Sequence, residues 1–171
     1  MNDIIQNGNP VLRTTATPIG PDEITSEKIQ GIIERMNTAL STQKDGVAIA
    51  APQIGESYRI FTVAPFVFES PSEEQLVFIN PVIVKHSKKT KWLHEGCLSC
   101  RWQVGEVKRS LEVTIEAYDQ HGNYHSRSAD GLLAHIFQHE TDHLDGILFL
   151  DKARKLRDMD DEEIAEAMGQ K

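Results

Sequence analysis

His139, Glu140 and His143 are spaced for chemistry at a metal. On a helix, residues four apart share a face, so both imidazoles can reach one cation while the Glu140 carboxylate stands beside its open coordination position. Such a set activates water. The bland alternative is a polar helix face that happens to carry these residue types. Two imidazoles leave a catalytic metal short of its usual three protein ligands, and Cys97, in Glu95-Gly96-Cys97-Leu98-Ser99, is the strongest candidate for the third. Gly96 would permit an unusual backbone path beside the thiolate. Free cysteine is also a common small core residue, which is the competing reading. The second cysteine, Cys100, makes a Cys-x-x-Cys spacing. It lacks the strand-to-helix setting of a redox motif and the second cysteine pair of a zinc ribbon.

These residues need a scaffold. Ile29, Ile32, Ile33, Met36 and Leu40 recur at helical spacing, predicting an amphipathic helix over Ser26 to Thr42, capped by Thr25 or Ser26. The opening segment, with Pro10, Pro18 and Pro21, reads as extended chain on the surface. Strands are predicted for Arg59 to Ala64, Leu76 to Val84, Val104 to Glu106 and Leu111 to Tyr118. Pro65 and the stretch Glu69 to Gln75 mark the turn between the first two. Asp119 to Asn123 forms the hairpin turn before a strand over Tyr124 to Ser128. From Asp130, the residues Leu132, Leu133, Ile136 and Phe137 follow helical spacing into the His-Glu motif, and Gly146 is placed to stop that helix. A run of strands followed by one helix predicts an α+β fold, with antiparallel or mixed sheets packed around a central helix that carries the motif.

Bulk properties narrow the function. The 171 residues fit one domain, residues 1–171, with an ordinary soluble composition of 39% hydrophobic and 26% charged residues. No apolar run is long enough for a membrane span, and no secretory signal is visible, so the expected location is the cytoplasm. A net charge of -8 argues against a nucleic-acid partner. Lys152, Arg154, Lys155 and Arg157, ahead of the acidic tail Asp158 to Glu166, read as a solvated amphipathic end more readily than as a docking patch.

Three separated segments in register resemble the signatures of the peptide deformylases: Gly46-Val47-Ala48-Ile49-Ala50-Ala51-Pro52-Gln53-Ile54-Gly55, Glu95-Gly96-Cys97-Leu98-Ser99 and Gln138-His139-Glu140-Thr141-Asp142-His143-Leu144. The resemblance implies removal of the formyl group from formyl-methionine at the start of newly made polypeptides. It implies a divalent metal on Cys97, His139 and His143, with ferrous iron usual in the family and zinc, nickel or cobalt tolerated; a thiolate and two imidazoles do not choose among them. Glu140 would act as general base and acid, and Gln53 with the backbone N–H of Leu98 would stabilise the oxyanion. The peptide would pair with an edge at Gly46, Val47 and Ala48, while its first side chain enters a pocket walled by Leu93, Leu132 and Ile136, with Glu95 and His135 also at the substrate surface. Leu132 and Ile136 are equally natural as ordinary core residues on one helix face.

Four departures from the family pattern stand out. Ala48 replaces a usual glycine. His135 replaces an aliphatic pocket residue, where a satisfied pocket histidine is preferred to a third imidazole ligand. Cys100 places a second thiol near a metal thiolate, an oxidation liability. The acidic end replaces the basic C-terminal helix by which relatives dock on the ribosome, so that partner is not implied by the same route. The rival readings are a metallopeptidase, disfavoured because no third histidine or carboxylate ligand signature is present, and a noncatalytic metal- or peptide-binding domain, for which Glu140 and Gln53 would be superfluous.

Overall fold

A computed structural model describes residues 4–68 and 76–170. The stretch Glu69 to Gln75, expected to be part of a turn, lies outside the described residues. The first helix, α1 (Glu27–Ser41), begins as expected, with Ser26 as its N-cap and its Oγ accepting from the Ile29 N–H at 3.4 Å. Its buried face is Ile29, Ile32, Ile33, Met36, Ala39 and Leu40. Each large aliphatic side chain removed from water there contributes roughly 1.5–3 kcal/mol.

A five-stranded antiparallel sheet has the order β1 (Ala48–Ala50), β2 (Ile60–Val63), β3 (Val77–His86), β6 (Glu112–Tyr118), β7 (Tyr124–Asp130). The β6–β7 hairpin turns where the sequence placed it. Asp119 Oδ1 accepts from the N–H groups of His121 and Asn123 at 2.8 and 2.9 Å, and Gly122 supplies the left-handed residue at φ 85°. The second helix, α2 (Gly131–Leu144), packs one face on this sheet, where Phe137 meets the Phe78 ring at 4.8 Å and the Phe61 ring at 5.9 Å. Its other face carries His135, His139 and His143.

The second sheet has the order β4 (Thr90–Gly96), β5 (Gln103–Ser110), β8 (Arg154–Asp158). The sequence reading missed β4 and β8 and shortened β5 to Val104–Glu106. Every side chain of β8 is exposed, so no apolar alternation marks it. Its strand state comes from pairing with β5 and from the Arg154 guanidinium, which lies 3.8 Å from the Trp92 ring centre across the sheet. Arg154, Lys155 and Arg157, read as a solvated amphipathic end, are exposed as expected, but they lie on a strand of a sheet. They and Lys152 are also ion-paired: Lys152 with Asp142, Arg154 and Lys155 with Glu106, and Arg157 with Glu163 at the foot of the short helix α3 (Asp161–Ala167). Among the described residues no helix is long and apolar enough to cross a membrane.

Candidate active site

Three elements converge on one cleft of about 380 Å³: α2, the turn after β4, and the segment from Asp45 through β1. The end of α2 is fixed by a left-handed glycine closure. The Gly146 N–H donates to the His143 carbonyl at 3.1 Å and the Ile147 N–H to the Asp142 carbonyl at 2.9 Å. Gly146 has φ 73°, and a Cβ there would stand 2.8 Å from the Arg13 backbone, so only glycine fits. The last turn, with His143, is thus held against the N-terminal segment.

Cys97, His139 and His143 come together so that one ligand atom from each lies within 4.8 Å of the others. Cys97 Sγ is 3.1 Å from His143 Nε2. Tetrahedral ligands at ordinary bond lengths stand roughly 3.3–3.8 Å apart, so these residues fit one divalent cation with little adjustment. Their protonation suits the role. Burial, with help from the neighbouring His139, pushes His143 well below the usual histidine range, leaving a neutral imidazole. A hydrogen bond with the Cys100 thiol, and burial, push the Cys97 thiol up, so a bound cation is what would draw out the thiolate. Gly96 is not needed for an unusual path here, since a Cβ at that position would meet neighbours only at an ordinary 3.5 Å.

His139 is oriented by Glu95. The Glu95 carboxylate, on β4 and almost fully buried, bonds His139 Nδ1 at 2.6 Å, His135 Nε2 at 2.7 Å, and Arg109 Nη2 and Nε at 2.6 and 3.1 Å. Burial alone would raise its pKa, but the hydrogen bonds from His135, His139 and Arg109 outweigh that and hold it well below the usual carboxylate range. With Nδ1 engaged, His139 presents Nε2 to the metal set. Glu95, expected at the substrate surface, does line the cleft, yet both its oxygens are engaged by protein groups. Both oxygens are taken up by His135, His139 and Arg109. His135 is the satisfied pocket histidine rather than a member of the metal set.

Sequence reasoning overlooked Arg109, whose Nη1 also reaches Asp142 Oδ2 at 2.6 Å on the helix itself. A signal existed. In β5 the inward positions are Gly105, Val107 and Arg109, and an arginine on the buried face of a strand requires a carboxylate partner. Ser99, to which the sequence assigned no role, is buried and accepts from Gln53 Nε2 at 3.1 Å.

Glu140 is 3% exposed, and its Oε2 has no hydrogen-bond partner among the described residues. Burial is the main cause that raises its carboxyl to about 7, with nearby Glu95 adding to it against His139 and Arg109. A carboxyl balanced near neutrality can both accept and deliver a proton. Gln53, 2% exposed, is held in a tight turn (Ala51–Ile54): its Oε1 accepts from the Ala50 N–H at 2.8 Å, and its Nε2 faces Ser99 Oγ at 3.1 Å and Cys97 Sγ at 3.7 Å. That fixes the amide with N–H groups toward the metal set. Leu98 follows Cys97 in the turn, and its carbonyl is anchored by Gln6 Nε2 at 2.9 Å.

Gly46, Val47 and Ala48 line the cleft, as do Leu132, His135 and Ile136. The edge of β1 opposite β2 has no strand partner among the described residues. Leu93 does not line the cleft; it pairs across β4 and β5 with Val107, and His94 takes a place on the wall instead. Met159 and Ala167, from the C-terminal segment, complete the mouth.

A family model for the polypeptide deformylases matches residues 1–159. The chain is 40% identical to peptide deformylase 2 of Nostoc sp. over 87% of its own length and 84% of the relative's. It superposes on the crystal structure of peptide deformylase from Thermotoga maritima with a TM-score of 0.80 at 35% identity, covering 90% of this chain and 98% of that one. A class I type b peptide deformylase from Acinetobacter baumannii with Met-Ala-Ser bound gives a TM-score of 0.78 at 31% identity, covering 87% and 96%. Matches of this extent, on a chain that gathers Cys97, His139 and His143 beside a buried carboxyl, place it in the polypeptide deformylase family, metal-dependent hydrolases that remove N-terminal formyl groups.

Proposed function

We propose that this chain, acting as one catalytic unit in the cytoplasm, removes the formyl group from formyl-methionine of newly synthesised polypeptides, with His139-Glu140-x-x-His143 on α2 as its catalytic helix. The observation that carries the mechanism is the unpartnered, buried Oε2 of Glu140 beside the ligand set. Cys97, His139 and His143 would hold one divalent cation, which supplies Lewis acidity and lowers the pKa of a water; ferrous iron is the proposed metal, with zinc, nickel and cobalt as alternatives.

The side chains divide the remaining work. Glu140 takes a proton from the water that adds to the formyl carbon and delivers it to the departing amine, which must leave neutral. The Gln53 Nε2–H and the Leu98 N–H donate to the oxygen on which charge develops. Glu95, anchored by Arg109, keeps His139 in one tautomer and one orientation through the cycle. The substrate backbone adds to the free edge of β1 at Gly46–Ala48, and the first side chain enters between Leu132, Ile136 and His135. Met-Ala-Ser bound to the Acinetobacter relative supports a methionine-first peptide in this place. A ribosome-docking role has less support, because the basic cluster near the C-terminus is already matched with carboxylates.

Hydrolysis of formyl-Met-Ala-Ser under anaerobic conditions by wild type and Glu140→Ala, with metal content measured on both, tests this reading. Loss of turnover with metal retained is expected; full turnover in the variant would sink the mechanism. Acetyl-Met-Ala-Ser in parallel separates a deformylase from a broader amidase.

A further inference from the structure

We propose that Cys97 and Cys100 form a reversible oxidation site, in which a peroxide converts the two thiols into a disulfide and thereby takes Cys97 out of the metal-binding set. These are the chain's two cysteines. The segment between them is a turn closed by the Cys100 N–H on the Cys97 carbonyl at 3.0 Å. Such a turn brings its first and fourth Cα atoms within about 7 Å, close to the range a disulfide spans. Cys97 packs against the buried cluster that contains Cys100. Both residues line the cleft, which gives a small oxidant a path to them.

Exposure makes Cys97 the sulfur that meets the oxidant and Cys100 the resolving one, because Cys97 is half-buried at the cleft and Cys100 is buried. Cys100 sits in the apolar cluster of Leu12, Val107, Leu148 and Phe149.

The chemistry balances. Cys97 sulfur attacks one peroxide oxygen, the O–O bond breaks, and a sulfenic acid and one water result. Cys100 sulfur then attacks the sulfenic sulfur, the S–O bond breaks, and a second water leaves with the proton from Cys100. Two thiols and one hydrogen peroxide give one disulfide and two waters. A dithiol reductant returns both thiols. Without Cys100 the sulfenic acid persists until a second peroxide carries it to sulfinic acid, which thiol reductants do not reverse.

The test treats metal-loaded and metal-free protein with hydrogen peroxide, then measures intact mass, the peptide spanning Cys97 to Cys100, and metal released. Wild type should lose about 2 Da, release its metal, and regain metal binding and activity with dithiothreitol and fresh metal. Cys100→Ala should gain about 32 Da at Cys97 and recover neither. Wild type that gains oxygen with no species lighter by about 2 Da would overturn the proposal, as would Cys100→Ala recovering as fully as wild type. The mass readout does not depend on deformylation, so failure here and failure of the proposed activity are separable.

Discussion

Replacing Arg109 with methionine keeps most of the aliphatic stem but removes the charge that holds the Glu95 carboxylate. Side-chain exposure of the pair is 4% for Arg109 and 2% for Glu95, so water cannot take over. Removing one partner of a buried pair costs about 3–5 kcal/mol, because the other charge is left uncompensated. Asp142 keeps Lys152 at 2.6 Å, so the loss falls mainly on Glu95. For a chain of this size that corresponds to a fall in Tm of roughly 6–20 °C. The pH dependence has a definite sign. Glu95 has a folded pKa below its model value of 4.5, so its contribution is present above pH 4.5 and is lost as pH falls through the folded value. The gap between wild type and Arg109→Met should therefore narrow below that pH. Urea unfolding at fixed metal loading, from pH 7 down to 3.5, measures it. Glu95→Gln combined with Arg109→Met should recover at least about 0.5 kcal/mol relative to the sum of the single changes, while metal affinity stays about 10- to 100-fold weaker because His139 has lost its carboxylate. A cost under about 1 kcal/mol for Arg109→Met, or strict additivity, would refute the buried hub.

Other predictions concern neighbouring parts. In metal-free protein, burial raises the Glu140 carboxyl to about 7, so the native state holds a proton there that the unfolded chain gives up above pH 4.5. Stability of wild type relative to Glu140→Gln should fall by about 3 kcal/mol as pH rises from 4.5 to 7.5, and a flat difference in chemical denaturation would contradict it. His135→Leu should retain stoichiometric metal while raising kcat/KM for long aliphatic first residues over polar ones, by roughly 10-fold; metal loss would show that His135 belongs to the ligand set. Gly146→Ala should cost at least about 1–3 kcal/mol, since the positive φ and the Arg13 backbone both oppose a methyl group; an unchanged melting curve would show that the helix end can shift. Ala48→Gly tests the departure on β1: a lower KM is expected if the methyl group holds the peptide backbone away, and an unchanged KM would show it is harmless.

The parts of this molecule that could be read from sequence are those where chemistry or burial leaves a local period. The α1 face, the β6–β7 turn and the two histidines four apart on α2 all have that character. So does Cys97, because a catalytic metal needs a third ligand. Strand β8 was invisible because all its side chains face solvent and its pairing partner lies about fifty residues away. The alternation of β5 marks Arg109 as buried and in need of a carboxylate, but the bond from Glu95 to His139, 44 residues on, joins elements that no single window contains. Leu93 was misplaced for a third reason: strand alternation gives its face, but how far the cleft extends along β4 depends on the neighbouring sheet and helix.

The short β1 strand has a consequence for the cell's other proteins. An open strand edge is a template for any extended chain, including aggregating ones. Here the edge is Ala48–Ala50, entered from Gly46 and ended at once by the turn that contains Pro52 and Gln53. A strand of three residues gives a passing β-strand too few backbone bonds to hold it, whereas a peptide end that also places a side chain in the cleft gains a second anchor. In the proposed binding mode, brevity of the edge would make capture conditional on a free chain terminus, leaving strands buried in folded proteins untouched.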